Sequence, residues 1–347
     1  MLQLLNNTPF NAEHAVLLDE QADQILIVLV KASFSYHEDD GVEVTQPESI
    51  VAFPEYYPIP EDSACEPFQS TLLRDNEWVV DHQGTDVSLY GTAYAIDQPV
   101  SQLDVSLSIH QYEKTLRVWG DRIWQQGWFM ATISDAEPFT TMPLIYENSY
   151  GGTGVDKAGQ AQVYPQNPIG KGYAAALSAS KKALDGTPLP NLEDPRHLIR
   201  KTSDQPNPAC FAAIPGAWEP RLSHCGTTDA AWQVKRFPLP PLDFNPAHYN
   251  TAAPDLIMPT PVRGGEQVVL THLHPSQHQI TLQLPKLRIV VRTEIQNQWY
   301  RHIVKMDRLI IDADKQQFHI VWGARLNCGT RVKSAQRTIV ESKVYIP

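Results

Sequence analysis

ILIVLVKASFSY (residues 25–36) opens as an unbroken apolar run and then alternates. That is the pattern of a strand that begins inside a core and ends at a surface. LDVSLSIH (residues 103–110) alternates throughout and puts Leu103, Val105, Leu107 and Ile109 on one face, a half-buried strand. KTLRVW (residues 114–119) follows so soon that residues 103–119 read as a hairpin. DVSLYGTAYA (residues 86–95) has the same period with Gly91 inside it, which marks a bulge or a close backbone approach. Toward the other end, residues 267–270, 280–284, 287–291, 309–312 and 317–326 read as strands. The last two form a hairpin across ADKQQ, with Phe318, Ile320, Trp322 and Ala324 on one side. No period of a solenoid or propeller recurs.

Between these strand-rich ends the pattern changes. From Pro138 to Asp255 the chain runs in short phrases of Pro, Gly, Asn, Asp and Trp: PFTTMPLIYENSYGGTG, NPIGKGY, LPNLEDP, AWEPR, GTTDAAW and FPLPPLDFNPAHYNTAAPD. Gly fits positive φ or close approach, Pro fixes φ, and Asn or Asp caps turns, so such a stretch specifies its loops residue by residue. Four of the eight Trp fall between Trp119 and Trp218, a density that argues for order. The one helical stretch expected here is residues 172–184, Ala-rich after the NPIGKG turn. The expected fold is therefore mainly β, with antiparallel, sandwich-like sheets at both ends bracketing a long ordered Pro/Gly-rich loop region with one short helix. The chain reads as a single unit over 1–347, β-rich over 1–125, loop-rich over 126–262 and β-rich over 263–347.

Composition narrows the function classes. With 42% hydrophobic residues the 347-residue chain can build a sizeable core, and 28 Pro against 18 Gly favours stiff connections. A net charge of −11 disfavours a nucleic-acid partner, which needs clustered Lys and Arg. Acidic residues concentrate over 38–66, whereas 286–343 is net basic, an asymmetry able to steer a partner. Cys65, Cys210, Cys225 and Cys328 are widely spaced, which reads as reduced and mostly buried thiols. The first residues, MLQLLNNTPFNAEH, lack the features of a signal peptide, and no run approaches ~18 apolar residues. A cytoplasmic protein without a membrane partner is expected.

No motif carries catalysis. Gly151-Gly152-Thr153-Gly154 lacks the Lys-Ser/Thr of a phosphate-binding loop and NPIGKG has the wrong spacing, so both read as tight turns. His272, His274 and His278 with Glu266 offer a partial metal set, on a strand where i and i+2 share a face, but lack a third ligand at a family-like spacing. His224-Cys225 are adjacent and so seldom face each other, and no GxSxG occurs. Glu147, Glu193 and Asp194 could act as a glycosidase pair only if the fold set two of them ~5 to 10 Å apart. No cofactor and no metal is expected. What remains is aromatic and Arg residues set among prolines: Trp119 with Asp121, Arg122 and Trp124, Trp218 with Arg221, and Trp232. Trp and Arg dominate protein interfaces. The other reading of the same residues is internal, each Arg stacking on a Trp or bonding loop carbonyls to lock the irregular backbone.

Ten phrases fall in one order: NNTPF, VKASF, TDVSLYGTAYA, KTLRVWGDRIW, PFTTMPLIYENSYGGT, NPIGKGY, LPNLEDP, GTTDAAW, PPLDFNPAHYNTAAPD and RGGEQVVLTHLHP. Together they resemble the uncharacterised-domain proteins encoded beside the spike genes of bacterial type VI secretion systems, across nearly the whole chain. Thr228 stands where that family usually has Tyr, and Cys210 and Ala212 replace small glycines. The resemblance implies a non-catalytic adaptor or chaperone that holds a toxic effector and helps load it onto the VgrG spike or its PAAR tip. A β-rich hydrolase acting on carbohydrate or peptidoglycan is the alternative.

Overall fold

The computed structural model describes residues 2–37, 41–58, 70–177 and 184–344. Its largest sheet has the strand order Ile257–Met258, Thr85–Tyr90, Ile303–Asp312, Gln317–Gly329, Gln24–Tyr36, Asn11–Leu18, and Val42–Thr45 also pairs with Gln24–Tyr36. Neighbours are antiparallel except Thr85–Tyr90 beside Ile303–Asp312, where Leu309 faces Val87 in parallel register. Gln24–Tyr36 lies inside this sheet with both faces covered. Val28, Val30 and Phe34 enter the main core, while Ile25, Ile27 and Leu29 pack with Ile50 and Val321 on the other side. The expectation that this strand ends at a surface is corrected, since Phe34 and Tyr36 are buried. A strand covered on two sides needs no alternation, which explains the continuous apolar run.

A five-stranded sheet follows the order Leu192–Glu193, Tyr112–Trp119, Gln102–Ile109, Gln267–Thr271, Gln279–Gln283. It contains the expected hairpin, with Leu116 opposite Val105. A four-stranded sheet joins Gln3–Asn7, Ala335–Val344, Leu287–Ile295 and Gln298–Arg301, its first two strands parallel. The hairpin expected over 309–326 is also present, and Phe318, Ile320, Trp322 and Ala324 all face the core. Gly91 interrupts the strand pattern where expected, because a Cβ there would press on the Ala313 side chain. Each of the three sheets draws strands from both ends of the chain. Val30, Val105 and Val291, one from each sheet, belong to one apolar core.

The centre contains more regular structure than its phrases suggest. Short ladders pair Trp124–Gln126 with Ala131–Ile133, Thr153–Val155 with Ala161–Val163, and Tyr150–Gly151 with Lys171–Gly172. Two α-helices occur among the described residues rather than one, Tyr173–Leu177 and Ala230–Lys235. The first opens the helix expected over 172–184, of which 178–183 lie outside the described residues. The second is capped by Asp229, whose side chain accepts from the Trp232 amide at 2.8 Å, so GTTDAAW holds a helix start that periodicity missed.

The phrases lock into one another. Buried Asn167 of NPIGKG donates to the carbonyls of Tyr146 and Tyr150 at 2.9 and 3.0 Å. Gly151 has φ +151°, and a Cβ there would meet the Asn167 carbonyl. Asn191 of LPNLEDP donates to the Trp119 carbonyl and to Asp121, and accepts from Lys171 at 2.6 Å. Asp86 of TDVSLYG is buried and accepts from Asn250, Thr251 and Ala252 of HYNTAA. Burial by itself would raise the Asp86 carboxyl, but His82, Arg308 and Asn250 overcome it and hold it at about 2. The irregular backbone thus finds its hydrogen-bond partners in side chains that the sequence repeats as phrases.

Candidate binding cleft

A cleft of about 620 Å³ opens where the strand Tyr112–Trp119 meets the central loops. Its inner wall is Lys114 and Tyr146, both buried. Tyr146 packs edge-on against Trp218, with ring centres 5.5 Å apart, and its hydroxyl donates to the Ala212 carbonyl at 3.3 Å. Pro206, Pro208, Pro220 and Pro254 stiffen the rim, and the Tyr164 hydroxyl holds the Pro206 carbonyl at 3.2 Å. Such walls are largely set before any ligand arrives.

Both signs of charge line the cleft. Lys114 Nζ lies 2.8 Å from Asp255 Oδ1. Arg196 grips Asp194 with Nε on Oδ1 at 3.0 Å and Nη2 on Oδ2 at 2.8 Å. Those bonds, with the Arg196 amide and His197, hold the Asp194 carboxyl at about 2. Glu219 accepts from the Ser223 amide and hydroxyl. Each of these three carboxylates is engaged by a side-chain donor, Asp194 by Arg196, Glu219 by Ser223 and Asp255 by Lys114. The cleft therefore presents charges of both signs, Arg196 with Asp194 at its exposed edge and buried Lys114 reaching Asp255.

The seven residues singled out from the sequence fall elsewhere, and mostly inward. Arg122 is buried, stacks 4.3 Å over the Trp119 ring and donates to the Pro190 carbonyl and to Glu193 at 2.7 Å. Burial raises the Glu193 carboxyl, with Arg122 pulling the other way. Trp124 is buried in a second core with Tyr150, Tyr164, Leu184, Leu189 and Ile199. Trp218 is buried behind the cleft, and Arg221 donates to Asp75 at 2.7 Å and to the carbonyls of Ile214 and His248. Trp232 is half-buried and donates to the Leu239 carbonyl at 2.9 Å, and exposed Asp121 accepts from Asn191. In this state Arg122, Trp124, Trp218 and Arg221 hold loops together and meet no solvent-facing surface.

The histidines part company. The strand ends at Thr271, and His272 takes φ +57°, so the alternation assumed for His272 and His274 is broken. His272 Nε2 reaches His278 Nδ1 at 3.2 Å, whereas buried His274 turns to Gln316 at 2.6 Å and Glu266 accepts from the Arg263 amide. Among the described residues no group of three or more His, Cys, Asp or Glu is placed to hold a metal. Of the carboxylates considered, Asp194 enters the cleft, while Glu147 serves Thr71 and Glu193 serves Arg122. Cys210, Cys225 and Cys328 are free, and Cys65 lies outside the described residues. Burial pushes the Cys210 thiol up to about 12, so it is no nucleophile.

Sequence reasoning missed Lys114, Arg196, Glu219 and Asp255 as one site. Three of them sit beside prolines, in DPR, EP and PD, so a shaped loop was visible at each position. Their convergence was not, because it depends on residues 23 to 141 positions apart in the chain.

Among the described residues no helix is long and apolar enough to cross a membrane. Comparison with curated proteins and with solved structures finds no match. A family model of uncharacterized proteins conserved in bacteria matches residues 21–323, which takes in Gln24–Tyr36 and Ile303–Asp312 of the largest sheet, the interlocked phrases and the whole cleft. The chain belongs to that bacterial family, DUF2169.

Proposed function

We propose that the chain is a non-catalytic adaptor of a type VI secretion system, which binds a toxic effector in the cytoplasm and helps load it onto the VgrG/PAAR spike. The observation that carries the binding role is the cleft, whose proline-stiffened rim and fixed charges of both signs suit an extended polar segment of a partner protein. A wall that is already ordered lowers the entropic cost of association. The secretion assignment is supported by the ten ordered phrases. Co-purification tests it: the tagged chain is expressed with the neighbouring spike and candidate toxin, each omitted in turn. A stoichiometric complex with either supports the adaptor, and a folded chain that retains neither overturns it.

A β-rich hydrolase is the second reading, favoured by one observation, that Asp194, Glu219 and Asp255 share the cleft. Their partners count against it. Carboxyl-pair hydrolysis needs one acid kept protonated, whereas Arg196 holds Asp194 as an anion, and Glu219 and Asp255 are already engaged by Ser223 and Lys114. Release of reducing ends from polysaccharide or peptidoglycan, abolished in Glu219→Gln, would favour this reading.

A further inference from the structure

The hairpin of Gln267–Thr271 and Gln279–Gln283 carries a histidine at each end of its loop, His272 just past the first strand and His278 just before the second. The loop is pinned. The His272 amide donates to the His278 carbonyl at 2.7 Å, and the His272 carbonyl accepts from the Tyr94 amide at 3.0 Å. Between the two, Leu273 is buried in the main core and buried His274 turns to Gln316. His272 takes φ +57°, a left-handed backbone that ends the strand alternation. Its ring meets that of His278 at 84°, with ring centres 5.3 Å apart.

His272 Nε2 lies 3.2 Å from His278 Nδ1, and the outer nitrogens of the two rings decide what belongs between them. His272 Nδ1 is 2.8 Å from the Asp104 carbonyl, which can only accept, so in the neutral ring Nδ1 carries the proton and Nε2 a lone pair. The Asp97 carboxylate, 3.6 Å from His278 Nε2, favours the proton there and leaves Nδ1 bare as well. Two neutral imidazoles so held point lone pair at lone pair, which calls for a cation in the gap. Metal–nitrogen bonds of about 2.0–2.1 Å at the tetrahedral angle set two ligand nitrogens about 3.3 Å apart. A carbonyl on one ring and a carboxylate on the other are the outer partners that orient metal-bound imidazoles. We infer that His272 Nε2 and His278 Nδ1 bind one divalent ion of the zinc, nickel or copper class, with water in its remaining positions. Imidazole selects those ions over magnesium and calcium, which take oxygen ligands. The His278 side chain is 63% exposed, so the ion's open side faces solvent. The site draws on no residue of the cleft and is independent of the adaptor reading.

The test uses the full chain purified without a histidine tag, as wild type, His272→Gln, His278→Gln and His110→Gln, the last an exposed histidine outside the pair. Equilibrium dialysis against zinc chloride is expected to show one ion per chain for wild type and His110→Gln. Each variant of the pair should bind it at least about tenfold more weakly, the loss that removal of an outer partner alone can cause. Copper(II) loaded in place of zinc should show two imidazole nitrogens in its paramagnetic resonance spectrum, and one in each variant of the pair. Circular dichroism melting checks that each variant folds, and His278→Gln, at an exposed side chain, carries the test if His272→Gln melts early. A wild type that retains no zinc overturns the inference and leaves the pair a hydrogen bond around one shared proton. Equal zinc affinity in the wild type and both variants of the pair also overturns it, by placing the ion elsewhere.

Discussion

Lys31 Nζ sits 2.7 Å from Glu77 Oε1, and both side chains are fully shielded from water. Lys31 comes from the central strand Gln24–Tyr36 and also donates to the Ser49 carbonyl at 3.0 Å. Glu77 accepts from the Val51 amide at 2.9 Å, so the pair pins three segments at once. Removing one partner leaves a buried charge uncompensated. Lys31→Met is expected to cost about 3–5 kcal/mol in urea unfolding, and Lys31→Met/Glu77→Leu to cost less than that single change. A single variant that unfolds with the wild type would show that the pair adds nothing.

Trp124→Ala and Trp218→Ala should each destabilise by about 3–5 kcal/mol, since both indoles are buried. Trp128 is 92% exposed, and Trp128→Ser should stay within about 0.5 kcal/mol of wild type. Urea midpoints for the three separate Trp side chains that build the molecule from one that faces solvent.

Gly151→Ala and Asn167→Ala probe the joint between two phrases. The first places a Cβ at φ +151° against the Asn167 carbonyl and should cost more than about 1 kcal/mol. The second leaves the carbonyls of Tyr146 and Tyr150 without their donor, at about 1–3 kcal/mol. Wild-type melting curves for both would separate the phrases.

Acid should unfold the protein through buried histidines. Burial holds His302 near pKa 4, and burial with the nearby Lys31 and Arg74 holds His319 near 3, against an ordinary 6.5. Both imidazoles stay neutral in the fold, whereas the unfolded chain takes up their protons below about pH 6.5. Their contribution is thus complete above pH 6.5 and is lost as pH falls toward 4 and 3. Asp86, held at about 2, adds a loss in the same direction between 3.8 and 2. Unfolding free energy followed from pH 7 to 4 should fall less steeply in His302→Gln, and an equal slope would show that His302 does not titrate on unfolding.

Arg196→Ala removes the group that holds Asp194 near 2, so the Asp194 carboxyl should titrate closer to 3.8. Carbon-detected NMR of the carboxyl reads this. If the cleft binds the effector, the same variant should retain less of it while melting unchanged, because Arg196 is exposed.

The hairpin over 103–119 was legible because its alternation matches a strand with one buried face. The fate of residues 25–36 was half legible. The apolar run announced a strand, but whether Tyr36 met water depended on a sheet completed 280 residues later by Gln317–Gly329. The helix at Ala230–Lys235 is too short to show a period, and its signal was the Asp229 cap. Arg122, Trp218 and Arg221 illustrate the limit at the site. Arg and Trp among prolines suit an interface or a lock equally well, and the choice is made by Glu193, Tyr146 and Asp75, each at least 70 residues away in the chain.

By itself the sequence determined that this protein is mainly β and where its hairpins over 103–119 and 309–326 lie, because strand alternation acts over a few residues. Only the tertiary structure decided that both ends of the chain share the same sheets, that the conspicuous Trp and Arg residues face inward, and that Lys114, Asp194, Glu219 and Asp255 line one cleft. Those outcomes rest on pairings and burial between distant segments, and a side chain's exposure is settled by what packs against it.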